Sequence, residues 1–181
     1  MKYLIRSALA LALLALAFPV LAKGPLDVYM RYAGYGYDTT IEFYEDDLPV
    51  NLTQARGKGT FGSSTIAITV EFVIDPEMSS YCPQGYPIPA AVLDVPDHEW
   101  AFVVTAADHS QVIGKFDWGW ICLTGDMKNW VGESQGEFDG GTGRYEGATG
   151  SFESHFWGTN LDPSIGLRSI TGDVIGTLYL D

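Results

Sequence analysis

The chain has 181 residues, 46% of them apolar and 13% aromatic, with 10 basic against 23 acidic side chains and a formal charge of −13. That length suits one domain with a hydrophobic core of its own. An acidic surplus scattered along the chain speaks against nucleic acid and anionic membrane surfaces as partners. Two cysteines, with His98 and His109 at no metal-ligand spacing from them, give no reason to expect a metal or a cofactor.

In chain order, Met1–Ala22 reads as a signal peptide. Lys2 and Arg6 form a basic start, the apolar run from Ala8 to Phe18 is too short to span a bilayer, and Val20, Leu21 and Ala22 offer a cleavage end. The mature domain, 23–181, is then expected in the periplasm or secreted medium with no membrane span. Leu26–Tyr32 and Asp38–Glu45 alternate weakly. The clearest strand follows, where Ile66, Ile68, Val70, Phe72 and Ile74 alternate with Thr65, Thr69 and Glu71. Asp75–Asp97 breaks that rhythm with Pro76, Pro83, Pro87, Pro89 and Pro96; proline cannot donate to a ladder, so a long excursion between strands is expected rather than a strand.

Further period-two segments are His98–Thr105, Gln111–Phe116, Asp117–Leu123, Trp130–Phe138, Phe152–Thr159 and Leu167–Leu180. No window supports a helix stripe, because glycine and β-branched residues interrupt each one. The pattern predicts an all-β domain of eight to ten antiparallel strands, closed as a barrel or packed as a sandwich so that long edges are not left open. Cys82 lies in the excursion and Cys122 in the aromatic strand Trp118-Gly119-Trp120-Ile121-Cys122. In an exported chain they are expected to form a disulfide, which makes the excursion either a flap over a barrel mouth or a stapled surface loop.

The aromatic set Trp100, Phe102, Phe116, Trp118, Trp120 and Trp130 has two readings: core packing, or a wall that binds a small hydrophobic ligand. Trp118 and Trp120 share one face, with Asp117 on the other. Asp108-His109-Ser110 contains the residue types of a hydrolase triad, but adjacent residues cannot form that geometry, and Asp108 reads as a turn-former. Glu45, Asp46 and Asp47 lack the spacing of a calcium loop and read as a solvated turn. Asn51-Leu52-Thr53 has the form of a glycosylation acceptor.

GGTGRYEGATGSF, residues 140–152, fits neither glycine fingerprint for phosphate. From Gly141 the sixth position is Glu146, which breaks the dinucleotide spacing, and no Gly-Lys-Ser/Thr ends a P-loop. The stretch reads as a structural turn. Phe138 closes one strand, Gly140 and Gly141 allow positive φ, Thr142 caps a short turn through its hydroxyl, and Gly143, Gly147 and Gly150 lead the chain into the strand from Phe152. Tyr145 and Ala148 are then inward plugs.

These residues also carry a resemblance. Gly140-Gly141-Thr142-Gly143, the aromatic Tyr145, then Ala148 and Gly150 resemble the glycine motif shared by allene oxide cyclases and plant dirigent proteins, with looser support from Ser169-Ile170-Thr171-Gly172. The stretch is similar also to small secreted bacterial proteins of unassigned activity that join the motif to two cysteines. The resemblance implies a single antiparallel barrel of about eight strands with an apolar cavity for small hydrophobic molecules, and assembly as a homo-oligomer. No catalytic residue of those families falls on a matching position here. The expected function is therefore binding of a small hydrophobic ligand without catalysis. The alternatives are an isomerase or cyclase-like enzyme working in the cavity, and a surface or partner-interaction protein with a packed barrel.

Overall fold

Alternation along an extended chain becomes an inside and an outside once the strands close on themselves. The computed structural model describes residues 23–39, 50–92 and 100–180. Its strands are β1 (Lys23–Asp38), β2 (Asn51–Gly59), β3 (Gly62–Val70), β4 (Phe72–Ile74), β5 (Ile88–Val92), β6 (Ala101–Ala106), β7 (Gln111–Leu123), β8 (Asn129–Thr142), β9 (Thr149–Asp162) and β10 (Leu167–Leu180). Eight of them close an antiparallel barrel in the order β1-β2-β3-β6-β7-β8-β9-β10, with β10 returning to β1. β5 continues the wall beside the second half of β7, and β4 pairs with β5. The expected all-β barrel and the Cys82–Cys122 disulfide are both present. The signal-peptide segment 1–22, the acidic turn at Glu45 to Asp47, most of Asp38–Glu45, and residues 93–99 lie outside the described residues.

Four strand expectations need correction. β2 was not expected, because its inward positions Asn51, Thr53, Ala55 and Gly57 are polar or small and show no apolar period. The strand expected across Ile66–Ile74 divides at Glu71, where pairing passes from β6 to β5. The two expected segments Gln111–Phe116 and Asp117–Leu123 are one strand with a bulge, since Phe116 faces Gly136 while Trp118 faces Gln135. Within the proline-rich excursion, Ile88–Val92 pairs as β5. Pro89 is tolerated there because its nitrogen points past the end of β4, where its carbonyl accepts from Asp75 N at 3.2 Å.

The bulge at Asp117 reverses the parity of β7. Phe116 points inward before it; after it Ile121 and Leu123 join the core while Trp118, Trp120 and Cys122 face outward. There the excursion covers them. Tyr81 packs edge-on against Trp118 at 5.3 Å and stacks on Trp120 at 6.2 Å, beside the disulfide.

The glycine-rich corner closes one end of the barrel. β8 does not stop at Phe138 but bulges and continues to Thr142, where a short turn of 3-10 helix (Gly143–Tyr145) begins. Thr142 makes no side-chain cap; its hydroxyl accepts from Gln111 N instead. Four corner amides are used internally, Gly140 N to Ala148 O, Glu146 N to Gly143 O, Ala148 N to Tyr145 O and Arg144 N to Ser110 Oγ, which is the bonding of a structural turn. Tyr145 and Ala148 are 4% and 0% exposed and plug this end together with Phe61, Val112 and Leu178. Asp108 forms the neighbouring turn by accepting from Ser110 N, and it pairs with Arg144 at 3.4 Å; these contacts, the Ser110 bond first, hold its carboxyl below the usual range.

A Cβ at Gly141 would lie 2.3 Å from Gln111 O, and one at Gly143, at φ 62°, would lie 2.5 Å from Ser110 Oγ. Gly141→Val or Gly143→Val is expected to lower stability by about 3 kcal/mol through overpacking and strain, read as a shifted urea midpoint. Replacing both cysteines by serine opens a loop with a sequence separation of 40. We expect that change to remove up to about 4 kcal/mol while the far-UV strand signature persists.

Candidate functional site

The other half of the barrel encloses a cavity of about 60 Å³. It runs from mid-height, at Met30, Phe102 and Phe152, to the rim opposite the corner, at Asn51 and Arg168. Phe102 meets Phe152 edge-on at 4.9 Å, and Phe116 packs on both at 5.7 Å, forming the floor. Gly114 makes the room, because a Cβ there would lie 2.4 Å from the Phe102 ring. Toward the rim Ile68, Phe72 and Ile170 line the cavity and are only partly buried, so apolar surface remains exposed in a concave place.

Against this apolar wall stand a few buried polar groups. Ser134 on β8 faces Ser154 on β9, and both are 4% exposed. Tyr32, two strands away on β1, reaches Ser154 by crossing β10 at Gly172; its hydroxyl lies 3.3 Å from Ser154 Oγ, and a Cβ at Gly172 would sit 2.7 Å from the phenol oxygen. Ser154 donates its one proton to Asp173 O at 2.8 Å. The phenol proton of Tyr32 therefore goes to Ser154, leaving the phenol lone pairs as acceptors. Ser134 Oγ and Trp130 Nε1 have no hydrogen-bond partner in the protein although both side chains are buried and line the cavity. Such groups carry the full cost of desolvation, of order 1–3 kcal/mol each.

The rim is charged and tied together. Asp38 and Arg168 form an ion pair, Asn51 Nδ2 donates to Asp38 at 3.2 Å, and Thr53 Oγ1 donates to Asn51 at 2.9 Å. Asn51, in the glycosylation-like tripeptide, is 6% exposed and engaged in this network.

Of the aromatic set, the structure brings Phe102, Phe116 and Trp130 to the cavity wall. Trp118 and Trp120 lie on the outer face beneath Tyr81 because of the Asp117 bulge. Trp100 is buried just before β6 and does not line the cavity. Sequence reasoning missed Tyr32, Ser134 and Ser154. Their signal was a polar residue at an inward register position, which is visible only once strand pairing is known. The excursion covers the outside of β7 as a stapled surface loop in its described part.

No protein-family model and no curated protein matches the chain. A solved structure similar to it is that of the pterocarpan synthase dirigent protein GePTS1, 11% identical, with 86% of this chain and 90% of that chain covered and a TM-score of 0.24. The barrel described above stands on its own strand pairing.

Burial pushes the Tyr32 hydroxyl up to about 12 from an ordinary 10.0, and the charge of Asp173 adds to it. Between those values the unfolded chain has released a proton that the native state keeps, so native stability is intact below pH 10 and declines toward pH 12. The decline is expected to reach about 3 kcal/mol. Chemical unfolding at pH 9.5 and 11.5 reads it, and Tyr32→Phe is expected to lack this component.

Proposed function

We propose that the protein binds one small, mainly apolar molecule carrying an oxygen acceptor, inserted head-first from the rim. The observation that carries this reading is the pair of buried donors, Ser134 Oγ and Trp130 Nε1, that find no partner in the protein and yet line an apolar cavity. The free volume of about 60 Å³ takes a small polar head; sites for drug-sized ligands run to roughly 300–1,000 Å³. The body of the ligand then covers Ile68, Phe72 and Ile170 at the rim.

The ionisable groups facing the cavity are Tyr32, held as a phenol at neutral pH, and Arg168, already paired with Asp38. That supply favours holding a molecule over moving its protons. The signal-like residues 1–22 and the disulfide support work outside the reducing cytosol.

Acetophenone and ethylbenzene test the reading, being of similar shape and differing in the carbonyl. Tryptophan fluorescence is expected to titrate saturably with acetophenone and about tenfold more weakly with ethylbenzene. Ser134→Ala should remove most of that preference while leaving the melting temperature equal or higher, because it deletes a buried hydroxyl with no partner. Flat titrations with both compounds, or an unchanged preference in Ser134→Ala, would overturn the proposal.

A further inference from the structure

The outer face of β1 and β2 carries charges that the rest of the molecule does not explain. Lys115, Arg144 and Arg168 each pair with a carboxylate, from Asp139, Asp108 and Asp38. Arg31, Arg56 and Lys58 enter no ion pair among the described residues, and they stand together. Arg31 lies directly opposite Lys58 across β1 and β2, and Arg56 lies opposite Ala33, one outward position further along. All three are exposed. Like charges directly opposite on one sheet face repel. Arg31 has a carboxylate on its other side, Asp173 of β10, but that group sits 3.1 Å from His155 Nδ1. Arg31 lies over the Tyr29 ring at 5.8 Å; in so acidic a chain, three adjacent cations with no carboxylate partner among the described residues mark a local anion site.

Beside them a groove crosses the outside of β1, β2, β3 and β6. Tyr35 and Tyr37, 62% and 44% exposed, form one flank; Gln54, Arg56 and Thr65 supply polar edges, and Ala67 is part of a low floor. This mixed lining suits a pyranose chain, whose ring C–H faces are apolar and whose rims are hydroxylated. A carboxylate on each ring matches the planar fork of an arginine.

We propose that this groove binds a linear acidic polysaccharide of the polyuronate type, with carboxylates on Arg31, Arg56 and Lys58 and sugar rings on Tyr35 and Tyr37. A thin chain meets the groove and little else. An anionic membrane would bring a whole plane of charge against an acidic body within a Debye length of about 8 Å.

Isothermal titration with polygalacturonate, neutral dextran and phosphatidylglycerol vesicles tests this. Binding is expected for polygalacturonate alone. The exposed double substitution Arg56→Gln/Lys58→Gln should weaken it at least about tenfold, as loss of charge-assisted bonds does. Tyr35→Ala should weaken it several-fold, with circular dichroism and melting unchanged in both variants. Absence of polygalacturonate binding, equal binding to the vesicles, or indifference to Tyr35→Ala would each overturn the proposal. None of these readouts involves the interior cavity.

Discussion

A closed antiparallel barrel assigns every side chain to the lumen or the exterior by simple alternation, and only an extra residue can change the assignment. Asp117 is that residue in β7. Without it, Phe116, Trp118, Trp120 and Cys122 would share the lumen side. The bulge keeps Phe116 inside and sends two tryptophans and a cysteine out, where Tyr81 and Cys82 meet them. The cavity and the staple are two results of one backbone irregularity. Two indole rings in the lumen would have filled the space in which Ser134 and Tyr32 now stand.

The barrel is uneven along its axis. At the corner end, Phe61, Tyr145, Ala148 and Leu178 pack to near-complete burial, and the glycine bulge lets the chain turn without a side chain in the way. At the rim end the same strands carry Asn51, Thr53, Ser134 and Arg168 at inward positions. Close packing at the first end opposes collapse of the wall onto the void at the second, where Ser134 Oγ is buried without a partner.

Much of the fold was legible from residue order. Ile66 to Val70 alternates strictly because both faces of β3 are ordinary, apolar inside and threonine-rich outside. The disulfide followed from the signal-like residues 1–22 and an even count of cysteines. β2 was hidden because its inward residues serve the rim rather than the core. The aromatic set was found as a group but could not be divided, since a bulge leaves no mark in composition. Tyr32, Ser134 and Ser154 come from three strands, and their proximity depends on a register in which Gly172 sits beneath the phenol. Pairing of that kind is a property of the closed wall, not of any local window.

The first and last strands of the barrel lie side by side, with Lys23 opposite Leu180 at the corner end. Both ends of the domain therefore emerge on the pole away from the rim. Anything joined to the strand ends at Lys23 or Leu180, whether a tether, a fusion partner or a solid support, leaves the opposite rim facing outward. The same adjacency makes the domain a natural subject for circular permutation, with new ends cut at the exposed turn Pro163–Ile165.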